Sequence, residues 1–152
     1  VTDRSAFSEG EWKALAEAPL QITIALVAAG PHRPIAMVKE AAASARALAQ
    51  PGTHGVGDEL IGAIAKDASG HEARHDVESR HGESPPEMIE SALAAVQTAV
   101  TALSPISGDE AAEVRAWYFD IAKAVAGASK AITSEEQQVL DRIGAVLQIA
   151  TS

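Results

Sequence analysis

Cysteine is absent from the 152 residues. That absence excludes a disulfide scaffold, thiolate zinc sites, iron–sulfur clusters and a thiol nucleophile. Aromatic side chains are scarce, with one tyrosine, two tryptophans and two phenylalanines. Basic residues are short as well: 12 lysines and arginines stand against 21 carboxylates, a formal charge of −9. Nucleic-acid affinity rests largely on cations that neutralise phosphates, so neither DNA nor RNA is expected as a partner. The same charge repels anionic membrane surfaces. The uncharged stretch from Ala18 to Pro31 is 14 residues long and contains Pro19, Gln21 and Thr23. It falls short of the roughly 18 to 20 residues that span a bilayer and reads as a buried core helix. Residues 1–7 lack the charged-then-apolar pattern of a secretory signal, so a cytoplasmic location is expected.

Alanine is abundant, at 33 residues, as many as Leu, Ile, Val and Phe together. It favours helix but adds little buried area. Closely approaching helices and modest stability follow, a combination that self-association would help. Charge is uneven: residues 1–50 are neutral, 51–100 carry −6 and 101–152 carry −3.

Helical periodicity dominates the chain. Ser8 and Glu11 have the spacing of a capping box. Trp12, Leu15, Pro19, Ile22 and Leu26 follow at three- and four-residue steps on one face. Pro19 deletes a backbone hydrogen bond, which predicts a kink or break, and Gly30-Pro31 ends the helix. Pro34 suits the first turn of a second helix reaching about Gln50. The stretch Pro51–Gly57 reads as a loop. Its Gly52-x-x-Gly55-x-Gly57 lacks a lysine, so it reads as a connector and not a phosphate cradle. A third helix is expected from Asp58 to about Ala68. Ser84-Pro85-Pro86-Glu87 opens another that reaches about Leu103, with Met88 or Ile89, Leu93, Val96 and Val100 inward. Ser107 and Glu110 start the next, which runs to about Lys130. There Trp117, Tyr118 and Phe119 point about 100° apart, the mark of a helix central to the core. Those aromatics could also line an apolar pocket with Trp12, although plain core is the simpler reading. The last helix opens at Thr133 or Ser134 and buries Val139, Leu140, Ile143 and Leu147. No run alternates as a strand would. The expected fold is all-α, a single-domain, alanine-rich bundle of six or seven helices over residues 1–152, with 1–7 as a loose tail.

Glu11-Trp12-x-x-Leu15-x-x-Ala18-Pro19 and Ser134-x-Glu136-x-x-x-Leu140-x-x-Ile143 together resemble a small bacterial all-helical family. The closing motif is also similar to the tail of tellurite-resistance (TerB-like) helical domains, over the last quarter of the chain. That resemblance implies a helical fold and an association with metal stress and acidic metal sites. The matching positions are caps and core residues and carry no ligands.

One segment carries chemistry. His71-Glu72-Ala73-Arg74-His75 matches H-E-x-x-H, in which two imidazoles one helical turn apart hold zinc and the glutamate activates a bound water. His81, ten residues after His71, gives a spacing that resembles the metzincin pattern. Glu78, however, stands where that pattern has glycine. On an unbroken helix His81 would lie about 15 Å along the axis from His71 and about 80° round, out of reach of the same ion. The same residues also suit a solvated helix, with Ser69 and Glu72 as a capping box and His81 at the C-terminal end. The candidate metal ligands are therefore His71, His75, Glu78 and His81, for zinc or another divalent ion, and Glu72 is the only candidate catalytic group. Clustered with Glu72, Asp76 and Glu78, the three histidines could also sense pH between about 5 and 7. No cofactor is required. The reading that needs least is a non-catalytic domain acting through a protein partner or a second copy of itself. Metal binding through the histidine segment is the alternative.

Overall fold

A computed structural model describes residues 4–29, 58–68, 85–106, 108–127 and 134–148. Within them a short 3-10 turn, Arg4–Ala6, precedes five α-helices: α1 (Glu9–Ala29), α2 (Asp58–Ala68), α3 (Pro85–Leu103), α4 (Gly108–Gly127) and α5 (Ser134–Val146). The described residues contain no strand. The helices read at 34–50 and within 69–82, and the 51–57 connector, lie outside the described residues.

The helix starts follow local chemistry. The Ser8 N–H donates to Glu11 Oε1 at 2.9 Å, and the Glu11 N–H donates back to Ser8 Oγ at 3.1 Å. This is the reciprocal capping box the spacing predicts. The Trp12 N–H then reaches the Ser8 carbonyl and closes the first turn. α2 has the bounds expected from the sequence, with Leu60, Ile61 and Ile64 fully buried. In α3, Leu93, Val96 and Val100 face inward, while Met88 and Ile89 both pack at its margin. α5 buries Val139, Leu140 and Ile143, and Leu147 just beyond its end is buried too. Gln148 there takes a left-handed φ of 59°, the usual conformation at a helix C-terminus. Glycine is the common residue at that position. Here the Gln148 side chain accepts a bond from Arg115 of α4 at 3.1 Å, which ties the end of α5 to its neighbour.

α1 is the centre of the packing. Among the described residues it touches each of the other four helices and lies most extensively along α3. From Ala18 to Leu26 every residue is buried, so this stretch of the helix is enclosed on all sides. The stretch after Glu17 carries no charged side chain that must stay in water, and its polar residues, Gln21 and Thr23, are themselves buried. The expectation that α4 would be the central helix is corrected in part. Trp117 and Tyr118 are fully buried, but Phe119 is only half-buried, with the Lys123 ammonium 5.4 Å above its ring. Many of the inward positions of these helices are alanine, including Ala18, Ala25, Ala92, Ala99, Ala122 and Ala126.

A second uncharged run, the 18 residues from Ser91 to Gly108, is longer than the one in α1. It differs in having a wet side: Ala94, Gln97, Thr98 and Thr101 are exposed. The Thr98 and Thr101 hydroxyls donate to the carbonyls one turn earlier, at 3.1 and 2.9 Å. No helix of the described residues is long and apolar enough to cross a membrane.

Gly62 sits in the middle of α2, and a methyl group added there meets no atom within 4 Å. Gly62→Ala is expected to raise unfolding stability by roughly 1 kcal/mol through helix propensity. A urea titration followed by circular dichroism reads this, and an unchanged or lowered midpoint would refute it.

Candidate functional site

A buried hydrogen bond ties α1 to α4. Pro19 lies inside α1 without ending it. Proline has no N–H, so the carbonyl of Leu15, four residues earlier, loses its intrahelical donor. In the enclosed core that oxygen would be costly to leave bare. Tyr118 supplies what is missing: its hydroxyl donates to the Leu15 carbonyl at 2.8 Å, with both residues wholly buried. Of the kink or break expected at Pro19, a break is not found: α1 continues through it. On the other side of the proline, the Thr23 hydroxyl donates to the Pro19 carbonyl at 2.9 Å. Gln21 and Thr23 are also wholly buried.

Two ring pairs frame the region. Phe7 and Trp12 have centroids 5.9 Å apart, and Trp117 and Tyr118 are 5.3 Å apart. Trp12, Trp117 and Tyr118 belong to one continuous apolar cluster. The buried Trp117 indole N–H meets no hydrogen-bond acceptor among the described residues. Burial in apolar surroundings pushes the Tyr118 phenol well above its ordinary pKa. A nucleophilic or general-base tyrosine needs the opposite shift, so its place here is as a neutral donor.

Two carboxylates are buried as well, Glu110 and Glu136. Each is the third residue of its helix, α4 and α5 respectively. At that position a glutamate serves the free N–H groups of the first turn and the positive end of the helix dipole. Both therefore read as groups that start helices. On the surface, Arg142 of α5 pairs with Glu90 of α3 at 2.8 Å, and Lys123 pairs with Asp120 at 3.2 Å.

The histidine segment, with His71, Glu72, His75, Glu78 and His81, lies outside the described residues, as do His32 and His54. Among the described residues no group of three His, Asp or Glu could hold a metal ion. Two residues of these buried hydrogen bonds escape a reading by motif. Thr23 sits inside an apolar run, and Tyr118 reads as one of three neighbouring aromatics. The available signal was Pro19 itself: a proline within a buried helix calls for an outside donor to the carbonyl four residues back. Comparison with protein-family models, with curated proteins and with solved structures finds no match.

Tyr118 is the only tyrosine in the chain, so phenol ionisation can be followed without ambiguity. Its folded pKa is raised above the unfolded value of about 10. The stabilisation due to the neutral phenol is thus complete below about pH 10 and declines as pH rises further. Tyrosinate absorbance should appear only together with loss of helical circular dichroism. A titration with midpoint near 10 in a chain that stays helical would show instead that the hydroxyl is open to water.

Proposed function

We propose that this chain is a non-catalytic helical domain that works by binding, either to a second copy of itself or to a protein partner, and that it acts in the cytoplasm. The observation that carries the reading is the outward face of α3. Ala94, Gln97, Thr98 and Thr101 present an exposed strip inside an 18-residue stretch without charge, on a chain of net charge −9. Interface centres are depleted of charge, and two copies of an acidic protein meet at least cost where neither presents a carboxylate. The threonine hydroxyls are engaged on the helix's own carbonyls, which reduces the polar groups that association would desolvate. The buried polar groups support the same reading from inside. Tyr118, Glu110 and Glu136 are placed to hold helices together or to start them. In this proposal the helices read at 34–50 and within 69–82 complete one bundle of six or seven helices.

Sedimentation velocity over a wide concentration range tests self-association. The weight-average mass is expected to rise with concentration, and Thr98→Glu should suppress the rise. As an exposed substitution, Thr98→Glu should change stability by no more than about 0.5 kcal/mol. A constant monomer mass for both proteins would refute self-association through this face.

A second reading is favoured by the spacing His71-Glu72-x-x-His75, which places two imidazoles one turn apart on any helix formed there. In it the chain is a metal-binding protein, in line with the metal-stress association of TerB-like domains. Metal analysis of tag-free protein prepared without chelator should then find about one zinc, nickel or iron per chain. The His71→Ala/His75→Ala variant should lose it. Absence of bound metal, with none taken up on addition, would refute this reading. Hydrolase activity abolished by Glu72→Gln would overturn the non-catalytic proposal itself.

A further inference from the structure

α1 is one helix with two different parts. Residues 9–18 are amphipathic: Trp12, Leu15 and Ala18 are buried, Glu9, Gly10 and Lys13 are exposed, and Lys13 and Glu17 face each other at 3.8 Å. Residues 19–26 are buried on every side. The two parts meet at Pro19, where the backbone has one hydrogen bond fewer and the proline ring crowds the Leu15 carbonyl. Each part keeps its own local bonds. The first is closed at its start by the Ser8–Glu11 box, and the second has the Thr23 hydroxyl on the Pro19 carbonyl. The bond that takes the place of the missing one at the junction comes from another helix, Tyr118 to the Leu15 carbonyl.

We propose that Pro19 is a hinge in α1 and that the Tyr118 hydroxyl is its latch. With the latch made, residues 9–18 stay docked on the bundle. Without it, they open as a unit while residues 20–26 remain packed. Two physical points favour local over global opening. Of residues 9–26, only the first part has a solvent face, so fewer contacts hold it. A detached ten-residue helix is also too short to persist in water, so its amides would exchange once it leaves. Phe7, packed against Trp12, would move with it.

Hydrogen exchange on the full chain tests this with Tyr118→Phe, Pro19→Ala and the double variant. In Tyr118→Phe, the amides of residues 12–18 should exchange about tenfold faster or more, the effect expected of a buried carbonyl left without a donor. Those of residues 20–26 and of α3 should change much less. In the double variant, the alanine introduced at position 19 restores an N–H to the Leu15 carbonyl, and exchange at 12–18 should return toward the wild-type rate. Uniform acceleration across all helices, no acceleration at 12–18, or no rescue by Pro19→Ala would each overturn the hinge. If Tyr118→Phe fails to fold, Pro19→Ala decides alone. Slower exchange confined to 12–18 supports the proposal, and unchanged or faster exchange there refutes it.

Discussion

A missing N–H shapes the centre of this protein. Pro19 removes one donor from the helix that every other described helix touches, and the Leu15 carbonyl it leaves bare lies where water does not reach. The core must supply a donor from elsewhere or leave a polar atom unsatisfied. The 2.8 Å bond from Tyr118 resolves this. It also fixes a point on α4 against a point on α1 with the directionality that apolar contact lacks. A net value of about 1 kcal/mol is usual for such a bond, and the cost of leaving the carbonyl bare is larger, about 1 to 3 kcal/mol.

Around that point the packing is built from small side chains. Alanines at 18, 25, 92, 99, 122 and 126 let backbones approach closely but remove little apolar area each. The larger contributions come from Trp12, Trp117, Tyr118 and the buried leucines and isoleucines. Where alanine dominates, polar ties between helices gain relative weight: Tyr118 to α1, Arg115 to Gln148 and Arg142 to Glu90. The surface pairs among these are screened by solvent and contribute less.

Much of the fold was legible because helix starts and stops are local events. The Ser8–Glu11 box, the bounds of α2 and the inward faces of α3 and α5 depend on residues within one or two turns of each other. What did not follow from the sequence depends on partners far away. Tyr118 and Leu15 are 103 residues apart, and no periodicity connects them. The local rule at Pro19 predicted a kink or break; the helix continues through it, and the donor that serves the Leu15 carbonyl is a distant one. Centrality was misjudged for a related reason. Three adjacent aromatics suggest a central helix, but Phe119 shares the side of the polar strip Glu113, Asp120 and Lys123, whereas residues 18–26 had no charged side to turn outward. The candidate metal ligands came from a motif, and they lie outside the described residues, so the histidine spacing stands as a sequence observation alone.

The proline–tyrosine arrangement also constrains how this chain can change over time. Position 15 contributes its backbone oxygen to the tie, so the identity of its side chain is not fixed by that bond. Positions 19 and 118 are coupled instead. A lineage that first replaced Pro19 by a residue with an N–H could then lose the Tyr118 hydroxyl at little cost. The reverse order passes through an intermediate with a bare carbonyl in its core. The two routes join the same endpoints, but only one stays on stable ground throughout.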